Sequence, residues 1–70
     1  MVSVKIVRES SGNPVASCRV TVWYGGSTVR HTNEKGIAHF EDIPPGKRSV
    51  YVEGVDMGEK DLSGETVIYI

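Results

Sequence analysis

The chain has a single cysteine, Cys18, so no internal disulfide can staple it and no cysteine-built metal knot can form. Charge of one sign is also missing. Eight basic and nine acidic residues are interspersed, for a net charge of −1. No basic patch marks a nucleic-acid surface, so no nucleic-acid partner is expected. No apolar run approaches the roughly 20 residues of a membrane span. The opening Met1-Val2-Ser3-Val4-Lys5 has no continuous apolar core and does not read as a signal peptide. That absence does not place the chain in the cytosol, because an exported parent chain can carry such a module.

Length sets a further bound. Seventy residues read as one domain, residues 1–70. A chain this short buries only about 60% of the surface its unfolded form exposes. Ordering it costs on the order of 100 kcal/mol of conformational entropy. The fold must therefore be economical or supported by a partner.

The apolar residues that are present select a class. There are eleven Val and five Ile, but Leu62 is the only leucine and there are two Ala. β-Branched side chains suit a pleated sheet, whereas helices favour Leu, Ala and Met. No window sustains apolar residues at helical spacing. Turn residues recur at intervals of roughly ten, as in all-β sandwiches and barrels. They are Ser11-Gly12-Asn13-Pro14, Gly25-Gly26, Asn33-Glu34-Lys35-Gly36, Pro44-Pro45-Gly46, Gly54 to Gly58, and Ser63-Gly64.

The runs between the turns alternate with a period of two, which assigns faces. In Val2 to Arg8, residues Val2, Val4 and Ile6 share a face. In Ser17 to Tyr24, Cys18, Val20 and Val22 oppose Arg19, Thr21 and Trp23. A third run spans Ser27 to Thr32, and a fourth spans Ile37 to Glu41 with Ala38 and Phe40 together. Ile43 plugs the core ahead of the Pro44-Pro45-Gly46 turn. In Lys47 to Glu53, Val50 and Val52 point in while Ser49, Tyr51 and Glu53 point out. A weak sixth run is expected near Gly58 to Leu62. The last, Glu65 to Ile70, is apolar on both faces, so its register is poorly specified.

Three segments carry a resemblance. Gly12-Asn13-Pro14-Val15-Ala16-Ser17-Cys18-Arg19-Val20-Thr21-Val22 is similar to the G-x-P-V-x-x-A-x-V-x-V run of carboxypeptidase regulatory-like domains. Thr32-Asn33-Glu34-Lys35-Gly36-Ile37-Ala38-His39-Phe40 resembles their T-D-x-x-G-x-x-x-F hairpin, and Ile43-Pro44-Pro45-Gly46 their I/L-P-P-G turn. The order and spacing of the three agree over residues 2 to about 53. The resemblance implies an all-β, seven-strand Greek-key β-sandwich, Ig-like or prealbumin-like (transthyretin-like) in type. The Cna B-type repeats of bacterial surface proteins share the pattern, which implies an extracellular or cell-surface setting. Cys18 stands where the family has Ala. Arg48 stands where it has an inward Tyr, which either weakens the packing at that end or turns Arg48 outward.

Candidate chemistry is sparse. Cna B-type domains often carry a Lys–Asn amide crosslink helped by a Glu, and Lys5 and Glu53 stand near those places. The last run offers no Asn or Asp as acyl partner, so a solvated lysine and a surface glutamate are the simpler reading. His31 and His39 flank the Asn33–Gly36 turn, but a zinc site normally needs three or four protein ligands. No metal or other cofactor is expected. Ureide-ring hydrolysis in the transthyretin-like fold relies on a C-terminal tyrosine-bearing motif that Val67-Ile68-Tyr69-Ile70 lacks. No Ser or Cys adjoins a His in a catalytic motif, and no enzyme is expected.

Trp23 is the informative oddity. It shares its face with Arg19 and Thr21, opposite the buried stripe. If the second and fifth runs are neighbours, Tyr51 joins it there. An exposed Trp–Tyr pair suits a sugar ring or a protein partner, because both residues combine area with a polar handle. As a purely structural cross-strand pair it adds about 0.2–1 kcal/mol. Two functions follow. The first is a non-catalytic interaction or structural module of a larger surface or assembly protein, with a protein partner or self-association. The second is a carbohydrate-binding module that uses Trp23, Tyr51, Arg19 and Thr21.

Overall fold

The computed structural model describes residues 2–70, which are all-β: no α-helix forms, and no helix is long and apolar enough to cross a membrane. Its strands are β1 (Val2–Val7), β2 (Arg19–Trp23), β3 (Ser27–His31), β4 (Ile37–Phe40), β5 (Gly46–Val52), β6 (Val55–Leu62) and β7 (Glu65–Tyr69). They form two sheets. One has three strands in the order β4-β1-β7, and the other has four in the order β3-β2-β5-β6. β1 pairs antiparallel with β4 and parallel with β7. Every pairing in the larger sheet is antiparallel.

The period-two alternation builds the core between the sheets. Val2, Val4 and Ile6 of β1, Ala38 and Phe40 of β4, and Ile68 of β7 line one side. Val20 and Val22 of β2, Val50 and Val52 of β5, and Leu62 of β6 line the other, with Cys18 and Ile43 closing the cluster. The accessible surface is 4197 Å². A compactly folded monomer of 7.6 kDa exposes about 4,300 Å², so the chain reaches ordinary compactness.

Three expectations are corrected. β6 begins at Val55 rather than near Gly58. Its register against β5 shifts between Ser49 and Tyr51, where β6 carries an extra residue. Gly58 sits there at φ +81, and its N–H donates to Asp56 Oδ1 at 2.8 Å. A bulge of this kind breaks the alternation that marks a strand in sequence. Second, the Asn33–Gly36 turn is not a hairpin within one sheet. β3 and β4 lie in different sheets, so the turn carries the chain across the sandwich. Third, Arg48 does not simply turn outward. It keeps the inward parity of Val50 and Val52 and is half-buried, with its guanidinium 4.6 Å above the Tyr24 ring. Nη1 donates to the Lys47 carbonyl at 2.9 Å, while Nε is buried without a hydrogen-bond partner among the described residues.

The resemblance segments pack on one another. Thr32 is the one buried polar side chain of the described core. Its Oγ1 accepts from the Cys18 N–H at 2.8 Å and donates to the Val15 carbonyl at 2.6 Å, tying the β1–β2 loop to the end of β3. Asn33 Oδ1 accepts from the N–H groups of Lys35 and Ile37, closing the turn that ends at Gly36.

Candidate functional site

The outer face of the four-stranded sheet gathers the residues singled out from sequence. β2 supplies Arg19, Thr21 and Trp23 because the same alternation that buries Val20 and Val22 turns these three outward. The register then sets their neighbours. Trp23 lies between Ser27 of β3 and Ser49 of β5, and Thr21 lies between Val29 and Tyr51. Tyr51 is therefore diagonal to Trp23 and not directly opposite it. Diagonal neighbours lie about 7–8 Å apart, within reach of two aromatic side chains.

The side chains enclose a shallow, open depression of about 460 Å³. Trp23 is 55% exposed and stands at the Tyr24–Gly26 turn. Thr21 and Tyr51 are half-buried in its floor, and Ser27 and Val29 complete the wall. Arg19 closes the far end, where its guanidinium lies over Gly54. Sequence reasoning missed Ser27, Val29 and Gly54. For Ser27 and Val29 the tight turn through Gly25-Gly26 carried the signal, since it pairs Ser27 with Trp23 and Val29 with Thr21.

The floor is held by the hairpin joining β5 to β6. Glu53 and Gly54 form its two-residue loop, with φ +51 and +81. Positive φ at both positions marks the mirror-image turn that matches strand twist. Glu53 is an unusual residue there, and its carboxylate accepts from the Arg19 main-chain N–H. That hydrogen bond holds the Glu53 carboxyl below the ordinary glutamate range, with the Cys18 thiol and the charges of Arg19 and His31 acting in the same direction. Cys18 is 2% exposed, and burial pushes its thiol up, reinforced by the negative charge of Glu53. It packs as a small residue of the core cluster.

The other candidates separate. His31 lies in β3 beside Arg19, and His39 lies in β4 on the opposite sheet. Among the described residues, no three His, Cys, Asp or Glu side chains group as metal ligands. Lys5 sits on the outer side of β1, between Ile37 and Val67, whereas Glu53 is in the β5–β6 turn of the other sheet. The structure does bring a Ser–His pair together: Ser3 Oγ and His39 Nδ1 are 3.0 Å apart across β1 and β4. A nucleophilic dyad needs a third group orienting the base. In this row the carboxylate strand neighbour, Glu65, adjoins Ser3 and not His39.

What the aromatic depression offers is a flat apolar wall, hydroxyls from Thr21 and Ser27, and one cation. That set favours stacking and hydrogen bonding. No protein-family model, curated protein or solved structure matches the chain.

Proposed function

We propose that this chain is a non-catalytic interaction module, a Greek-key sandwich of the prealbumin-like type within a larger surface or assembly protein. It meets a protein partner through the outer face of the β3-β2-β5-β6 sheet. The observation that carries this reading is Trp23, more than half exposed on a hydrogen-bonded sheet and flanking a depression floored by Tyr51 and Thr21. Buried on binding, a tryptophan of this kind contributes 2 kcal/mol or more, roughly thirtyfold in affinity.

Trp23 is the only tryptophan, so its emission reports on this face directly. Proteins captured by crosslinking to the chain are titrated against it. A blue shift, with affinity lost in Trp23→Ala and Tyr51→Ala at unchanged thermal stability, supports the reading. Binding that survives both substitutions overturns it.

A carbohydrate is the second reading, favoured by the Thr21 and Ser27 hydroxyls beside Trp23. Sugars stack on such aromatic faces while polar neighbours hold their hydroxyls. Glycan-array binding abolished by Trp23→Ala selects it, and silence across the array ends it.

A further inference from the structure

We propose that a second copy of this chain pairs with the free edge of β7, antiparallel about a two-fold axis at Val67. The two β4-β1-β7 sheets then join into one. This inference is independent of the Trp23 reading, because that face belongs to the other sheet.

The backbone argument comes first. Among the described residues, β7 pairs with β1 alone. The Ser3 N–H donates to the Gly64 carbonyl at 2.8 Å, and the Ile70 N–H donates to the Val7 carbonyl at 2.9 Å. Gly64 and Ile70 thus turn their backbone groups toward β1, and by alternation so do Thr66 and Ile68. Glu65, Val67 and Tyr69 turn theirs to the open edge.

The other three edges are blunted in ways that natural sheets use against pairing. β6 carries the Gly58 bulge and the run Glu59-Lys60-Asp61. β3 ends in Arg30-His31. β4 is four residues long and leads into Glu41-Asp42. β7 has no glycine, proline or bulge, and Glu65 is its one charge. Val67 and Tyr69 are 44% and 60% exposed on its outer side.

The edge is also complementary to itself. An axis at Val67 sets Val67 opposite Val67 and Glu65 opposite Tyr69. All three edge-facing residues then fall in pairs that exchange both backbone bonds. Moving the axis to Thr66 leaves Tyr69 with no β7 residue opposite it, and moving it to Ile68 does the same to Glu65. No like charges meet in the Val67 register. Val67 and Tyr69 of both copies form one apolar stripe. So short an edge buries little area, and the expected Kd is on the order of 0.1 mM.

Sedimentation equilibrium of the full chain, across concentrations bracketing that value, should show the mass rising from monomer to dimer. In the same range, amide exchange at Val67 and Tyr69 should slow with concentration. Exchange at Thr66 and Ile68, already bonded to β1, should not change. Tyr69→Glu places a carboxylate opposite Glu65 of the second copy and should weaken the dimer about tenfold or more. The double substitution Glu65→Lys with Tyr69→Glu pairs opposite charges in the same register and should recover it. A monomer at every concentration overturns the proposal. So does concentration-independent exchange at Val67 and Tyr69 in the unsubstituted chain, which requires no variant to fold. A double variant as weak as the single one overturns the register.

Discussion

Arg19 and Glu53 are joined by two hydrogen bonds, one through the Glu53 carboxylate and one through the main chain. The Arg19 N–H donates to Glu53 Oε1 at 2.9 Å, and the Glu53 N–H donates back to the Arg19 carbonyl at 2.8 Å. This double clasp fixes the β5–β6 turn beneath the aromatic depression, and it needs an ionised carboxylate for its full strength.

A pH dependence follows from that clasp. The Glu53 carboxyl titrates below its ordinary value of 4.5 when folded, chiefly because of the Arg19 N–H. Its stabilisation is therefore fully present above the unfolded value and is lost as pH falls through the folded one. Urea denaturation between pH 7 and pH 3 should show a loss of stability that is smaller in Glu53→Gln. Parallel pH profiles for the two proteins would refute the role of the charge.

Gly36 tests the packing of the resemblance segments. It sits at φ +76, and a Cβ there would lie 2.8 Å from both the Ile6 carbonyl oxygen and Pro14 Cβ. Gly36→Ala meets both the left-handed penalty and a backbone clash, together roughly 3 kcal/mol or more. Gly58→Ala has a similar φ of +81 with nothing near, and should cost only about 1–2 kcal/mol. Equal losses in the two variants, read from denaturation midpoints, would show that the Ile6 and Pro14 contacts are immaterial.

Thr32 should be the costliest hydroxyl to remove. Thr32→Val keeps the shape but strips the Cys18 N–H of its acceptor and the Val15 carbonyl of its donor. The expected loss is about 1–3 kcal/mol. Thr32→Ser retains both bonds and should lose less. If the valine variant unfolds at the same urea concentration as the unsubstituted chain, the Thr32 hydrogen bonds do not contribute.

Much of this molecule is local and was legible before any fold was known. β-Branched residues in period-two runs determine which side chains are buried together, so Val20, Val22, Val50 and Val52 declare the core and Trp23 and Tyr51 the outer face. Asn33 and Gly36 declare their turn, because side-chain hydrogen bonding and positive φ are properties of single residues. What sits opposite what is not local. Only the tertiary structure sends β3 and β4 to different sheets, parting His31 from His39, and lays β7 parallel to β1. It alone makes Tyr51 diagonal to Trp23 and sets Ser3 against His39. Alternation specifies a face with each strand's own atoms, whereas pairing depends on shape and hydrogen bonds supplied by strands distant in the chain.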